Sequence, residues 1–138
     1  KPIAVVFNLG INDMANISNY ISYMSDIAST LKSKNCKLFY MSVNPINSVM
    51  ITKAGKGART EAQVREFNSK IRSGLSLNYK YIDTYSVLMK KGYGTNSSYS
   101  GTDAASDDGL HYTTKTFKRI YYYCITYLNT GSIDASIY

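Results

Sequence analysis

The segment Ile3-Ala4-Val5-Val6-Phe7-Asn8-Leu9 is apolar at every position but one, and Gly10 ends it. A half-solvated strand alternates apolar and polar residues, so a run this continuous belongs to a strand covered on both faces, as in a parallel sheet. It is also far shorter than the roughly 20 residues that cross a bilayer as a helix. Parallel strands cannot be joined by a hairpin and need a crossover, commonly a helix. Ile17, Ile21, Met24, Ile27 and Leu31 follow at helical spacing, with Asp13 or Asn16 available as N-cap. Lys32 and Lys34 fall at the end of that helix, where positive charge is favoured.

The pattern then repeats. Lys37 to Val43 reads as a second strand, stopped by Asn44-Pro45, and a Gly- and Lys-containing loop runs around Ala54 to Ala58. Val64, Phe67, Ile71 and Leu75 mark an amphipathic helix. Tyr79 to Tyr85 reads as a third strand with alternating faces, and Val87 to Lys91 as a helical turn. Gly92 to Asp107 has the composition of a surface loop. Phe117, Ile120, Cys124 and Leu128 mark the last helix, capped by Thr113 or Thr114. Alternating strands and helices with right-handed crossovers imply an α/β fold, a three-layer sandwich whose parallel sheet is flanked by helices, in a single domain over residues 1–138.

Composition narrows the class. At 138 residues, with 44% hydrophobic and 18% charged residues, the chain can bury a real core. Its net charge of +7 is scattered and forms no basic stripe interleaved with aromatics, so no nucleic-acid groove is expected; solvated faces are the first reading and attraction to an anionic polymer the second. No apolar run is long enough for a membrane span. The opening Lys1-Pro2-Ile3 leads straight into a strand with neither initiator Met nor leader, which reads as a piece of a longer protein. Fourteen Tyr, no Trp and abundant Ser and Asn fit a secreted or cell-surface protein that touches sugars, and the residue usage of an AT-rich genome gives the same mix. The two cysteines, Cys36 and Cys124, lack metal-ligand spacing and allow either two buried thiols or one long-range disulfide. No metal or organic cofactor is implied.

Ligands of open parallel sheets bind beyond the carboxyl ends of the strands. Two motifs fall at such ends: Gly10-Ile11-Asn12-Asp13 after the first strand, and Asp108-Gly109-Leu110-His111 in the loop after the third. His111 is the only histidine, a group that can serve as general base and then general acid. Asp108 lies three residues earlier across a Gly-containing turn, within reach of one ring nitrogen. The bland alternatives are a surface turn at Asp108–His111 and ordinary capping at Asn12-Asp13.

The segment Val5-Val6-Phe7-Asn8-Leu9-Gly10-Ile11-Asn12-Asp13 resembles the G-x-N-D block of the SGNH (GDSL-like) hydrolases, and Asp108-Gly109-Leu110-His111-Tyr112 resembles their D-x-x-H block. The intervening βα units match as well, so the resemblance spans nearly all of Ile3 to Leu128. It implies His111 as general base and acid, Asp108 as the group orienting it, and Asn12 as a side-chain oxyanion donor. The family's nucleophilic Ser lies upstream of the G-x-N-D block, together with the first two strands, and has no counterpart here. Ser42, Ser100 and Ser132 do not sit in a strand-to-helix nucleophile elbow. In the family's sheet order the first strand of this chain neighbours an absent one. Its exposed edge is then expected to be covered by a companion N-terminal polypeptide of the same precursor, or by the same strand of a second copy.

The expected function is therefore ester hydrolysis by a Ser-His-Asp mechanism, with the Ser supplied from a missing or separate segment and this chain inactive alone. Small esters are the expected substrates, with O-acetylated polysaccharide or cell-envelope polymer ahead of lipid. The alternative is an inactive hydrolase-like module that binds polysaccharide through Tyr93, Tyr99 and Tyr112. A flavodoxin-like nucleotide-binding domain is a further option, but the chain has no Gly-rich phosphate loop.

Overall fold

A computed structural model of the chain describes residues 3–94 and 108–136. Its elements are β1 (Ile3–Phe7), a 3-10 turn at Met14–Asn16, α1 (Ile17–Lys32), β2 (Cys36–Met41), α2 (Ser48–Lys53), α3 (Glu61–Gly74), β3 (Lys80–Ile82), α4 (Thr84–Lys90) and α5 (Thr114–Thr130). The protein is α/β, with an open three-stranded parallel sheet in the order β1-β2-β3. Register runs Ile3 against Cys36 through Phe7 against Tyr40, then Phe39 against Lys80 through Met41 against Ile82.

The chain divides into two compact units. One comprises residues up to Val43 together with Val64–Asp83; the other comprises Asn44–Gln63 and the described residues from Thr84 onward.

The first unit holds the sheet, α1 and most of α3. Leu38 to Met41 of the central strand β2 are all buried. Met24 and Ala28 of α1, and Val64, Phe67 and Ile71 of α3, supply the helical side of this core. Burying each large side chain contributes about 1.5–3 kcal/mol before entropy is counted. α1 and α3 touch, with the Tyr20 and Phe67 rings 5.5 Å apart and Ile21 beside Gly74. Helices joining adjacent strands in order lie on one face when both crossovers are right-handed, and this contact fits that geometry.

A polar residue of α3 completes this core. Asn68 lies on the apolar face of α3; its Oδ1 accepts from the Val43 N–H at 2.8 Å and its Nδ2 donates to the Val43 carbonyl at 2.8 Å. Just past the end of β2, the side chain thus satisfies both main-chain groups of Val43. After α1, the chain reverses at Asn35, whose φ of 57° is left-handed, a region that Asn tolerates better than most residues.

Three expectations need correction. β1 is not buried on both faces: Ile3 is 64% exposed, Ala4 is exposed, and Val5 to Phe7 are half-buried. It is an edge strand of the described sheet, so one of its sides has no strand beside it. β3 ends at Ile82 rather than Tyr85, because Asp83 and Thr84, residue types that favour helix starts, lead into α4. On α5 the buried residues are Thr116, Ile120 and Tyr123, while Phe117 is 55% exposed.

The second unit contains α2, α4, α5 and the start of α3. α2 opens at Asn47, whose side chain accepts from the Met50 N–H at 3.1 Å. It closes in a Schellman motif: the Lys56 N–H donates to the Ile51 carbonyl and the Gly55 N–H to the Thr52 carbonyl, each at 3.1 Å, with Gly55 at φ +68°. The start of α3 is a capping box, with the Gln63 N–H donating to Thr60 Oγ1 at 3.2 Å and Gln63 Oε1 accepting from the Thr60 N–H at 2.9 Å. Thr113 caps α5 by accepting from the Thr116 N–H.

Candidate active site

Asp108 and His111 meet within the second unit. The backbone N–H groups of Leu110 and His111 both donate to Asp108 Oδ1 at 2.9 Å, which fixes the carboxylate. Its other oxygen, Oδ2, lies 2.5 Å from His111 Nδ1. The Asp108 side chain is 18% exposed and the His111 side chain 68% exposed. A carboxylate held at Nδ1 selects the tautomer that carries its proton there, leaving the Nε2 lone pair as the basic position. The arrangement is an oriented base whose ring is open to solvent, and it lies after α4 rather than directly after the third strand.

Gly109 makes the turn possible. Its φ is +72°, and a Cβ there would meet the Asn47 carbonyl oxygen, Met50 Cβ at 2.8 Å and Ile51 N at 2.9 Å. Only glycine both adopts this backbone conformation without strain and permits so close an approach. The Gly109 carbonyl accepts from the Asn47 N–H at 2.9 Å, tying the turn to the start of α2. Tyr112 anchors the other side: its hydroxyl donates to the Pro45 carbonyl, and its ring stands edge-on to Phe117 at 5.9 Å. Burial, then the neighbouring phenols Tyr93 and Tyr85, push the Tyr112 hydroxyl well above the usual range, keeping it a donor. Asn44, at the base of the same loop, accepts a buried bond from the Thr84 hydroxyl at 2.6 Å.

Sequence reasoning missed α2 and the anchored loop before it. The signal was present but short: Asn47 as a cap, six helical residues, then Gly55. Six residues give too few turns for periodicity to register.

The other motif lies in the first unit. Gly10 has φ +114°, and a Cβ there would strike the Phe67 ring and come within 3.4 Å of the Tyr40 hydroxyl. That hydroxyl donates to the Leu9 carbonyl at 2.8 Å and lies 2.6 Å from the Tyr20 hydroxyl. Asn8 Nδ2 donates to the Ser42 carbonyl at 2.8 Å. The strand exit is therefore pinned from three sides, and the Asp13 N–H closes a turn onto the Gly10 carbonyl at 2.9 Å. Asn12 is exposed in this turn. Neither Asp13 nor Asn16 makes a side-chain capping bond, so the capping expectation is not met.

Other candidates fall away. Ser42 is fully buried one residue past β2, with its N–H on the Ile82 carbonyl, and is not placed as an exposed nucleophile. Ser132 follows the left-handed Gly131 after α5, and its N–H donates to the Thr130 hydroxyl at 3.3 Å. Ser100 and Tyr99 lie outside the described residues. Tyr93 is 3% exposed, its hydroxyl bonded to Arg119 at 2.5 Å and 3.1 Å from the Thr116 hydroxyl, so it offers no face to a sugar. Tyr112 is half-buried with its hydroxyl committed. Cys36 and Cys124 are free, half-buried thiols, and burial pushes that of Cys124 up. Among the described residues there is no group of three or more His, Cys, Asp or Glu that could hold a metal ion, and no helix long and apolar enough to cross a membrane.

No protein-family model, curated protein or solved structure matches the chain.

Proposed function

We propose that the chain carries the histidine–aspartate half of a serine esterase of the SGNH type. One observation carries this reading: Asp108 Oδ2 lies 2.5 Å from His111 Nδ1, with the carboxylate fixed by two backbone N–H groups and the ring exposed. Such a pair can take the proton of a hydroxyl nucleophile through Nε2, return it to the leaving group, and let the carboxylate stabilise the imidazolium between those steps. Asn12 is assigned the oxyanion role from its motif. The nucleophilic serine would come from a missing or separate N-terminal segment. Small esters are the substrates of this reading, O-acetylated carbohydrate foremost, and the protein works at the cell surface or outside the cell.

The test is hydrolysis of an activated acetate ester by the complete protein in its native assembly, with a fluorophosphonate probe to locate the reactive serine. His111→Ala is expected to abolish both hydrolysis and labelling. Asn12→Ala is expected to lower kcat by roughly 10²–10³ with labelling retained. Unchanged hydrolysis in His111→Ala overturns the assignment. An Asn12→Ala effect confined to stability returns that residue to a structural role.

A further inference from the structure

We infer that Tyr40 is a positioning residue for Asn12, because its buried hydroxyl oxygen staples together the two ends of the loop that carries Asn12. Tyr40 lies on β2 and is 1% exposed. Its hydroxyl donates to the Leu9 carbonyl at 2.8 Å, just past the end of β1. The hydroxyl of Tyr20, in the first turn of α1, lies 2.6 Å from the same oxygen. The Tyr40 proton is committed to Leu9, so the Tyr20 hydroxyl is the donor in the second bond. One oxygen atom thus holds both a strand exit and a helix start.

The loop between these ends is short and internally bonded. The Asp13 N–H donates to the Gly10 carbonyl at 2.9 Å, closing a β-turn in which Asn12 is the third residue. The Asn16 N–H then donates to the Asp13 carbonyl at 3.0 Å and leads into α1. Where a side chain at the third turn position points depends on the plane of the peptide that enters the turn. That peptide is Leu9–Gly10. It is fixed by the Tyr40 hydroxyl at its carbonyl and by ring packing at its α-carbon, since Gly10 sits at φ +114° where a Cβ would strike Phe67. All of these groups belong to the first unit.

The chemistry of Tyr40 suits a staple. Burial, then the bond with Tyr20, push its hydroxyl well above the usual range, which keeps it a donor. Its ring stands edge-on to Tyr20 and to Tyr79, with centroids 6.4 Å and 6.1 Å away. Phenylalanine would fill the same space and lose only the hydroxyl. Tyr79 supplies the comparison: its hydroxyl donates to the Met24 carbonyl at 2.7 Å, a bond in the same core that lies outside the loop.

An oxyanion donor works because it is held in place before charge develops, so a loosened turn lowers turnover rather than affinity. That catalytic consequence rests on the esterase reading; the staple on the Asn12 turn does not.

The experiment pairs amide hydrogen exchange by NMR with ester hydrolysis, on the complete protein and its Y40F, Y20F and Y79F variants. In Y40F the Asp13 amide is expected to exchange about tenfold faster or more, reporting an opened turn. In Y20F, which keeps the Leu9 bond, the increase is expected to be smaller. In Y79F, which loses a buried hydroxyl bond elsewhere in the core, it is expected to stay within about threefold. Y40F is expected to lower kcat on the activated acetate ester about tenfold with KM within about twofold, short of the loss of roughly 10²–10³ for removing the donor itself. Added to Asn12→Ala, Y40F is expected to lower kcat by less than about twofold more, and Y79F alone to leave kcat within about twofold. Exchange at Asp13 no faster in Y40F than in Y79F overturns the staple. A kcat loss that recurs in full on Asn12→Ala, or that Y79F matches, overturns the positioning of Asn12. A wild type that does not hydrolyse the ester, with the exchange difference present, removes the esterase reading and leaves the staple standing.

Discussion

At the scale of single residues, Gly109 controls the candidate site more than either titrating partner. The Asp108–His111 pair exists because the chain reverses at φ +72° while pressed against the first turn of α2. Gly109→Ala combines left-handed backbone strain with a Cβ driven into Asn47, Met50 and Ile51, and is expected to cost about 2–4 kcal/mol in chemical denaturation. The same substitution should separate Asp108 from His111, visible as loss of the downfield imidazole proton shared between them. Retained stability with a retained downfield proton would show that the turn tolerates a side chain. The pairing of Asp108 with His111 was legible in the sequence because three-residue spacing across a glycine brings the carboxylate back to the ring. The closeness to α2 was not, since nothing local to Asp108–His111 announces what packs behind it.

At the scale of elements, the strands and long helices were legible where hydrophobic period and length agree. α1 and α3 appear where Ile17–Leu31 and Val64–Leu75 repeat at helical spacing. Agreement failed where polar side chains govern the ends. β3 stops where Asp83 and Thr84 begin a helix, and α2 is too short for its period to emerge. Asn68 is the sharpest example: a polar residue on the same helical face as Val64, Phe67 and Ile71, there because it pairs with Val43 beyond the end of β2. Asn68→Ala leaves a buried N–H and a buried carbonyl without their partner and is expected to destabilise by about 3 kcal/mol, more than an exposed Asn→Ala change on the same helix. A loss below about 0.5 kcal/mol would mean that water replaces the amide at no cost.

At the scale of the whole molecule, fourteen tyrosines and no tryptophan make phenols the main aromatic chemistry. Burial raises Tyr20, Tyr40, Tyr79, Tyr81, Tyr112 and Tyr123 above their ordinary range, with Tyr79 pushed up to about 12. The Tyr79 hydroxyl donates to the Met24 carbonyl at 2.7 Å, a bond that only the protonated phenol can make. The unfolded chain releases these protons near pH 10 while the folded one retains them, so stability is complete below that pH and falls as pH rises from 10 toward 12. The phenolate absorbance of these six should therefore appear late and steeply, together with the loss of helical ellipticity; their ionisation near pH 10 with structure intact would contradict it. The edge position of β1 has a different consequence. In a parallel pair only alternate residues turn their N–H toward the neighbour, so Ile3–Phe7 divide into amides bonded to β2 and amides facing outward. Dissolved in heavy water, the first set should keep its protons for as long as the sheet lasts, and the second should lose them at close to the rate of an unstructured peptide. Anything that seats itself along that edge converts the fast set into slow ones, so deuterium uptake along five residues becomes a direct reading of whether the strand has a neighbour.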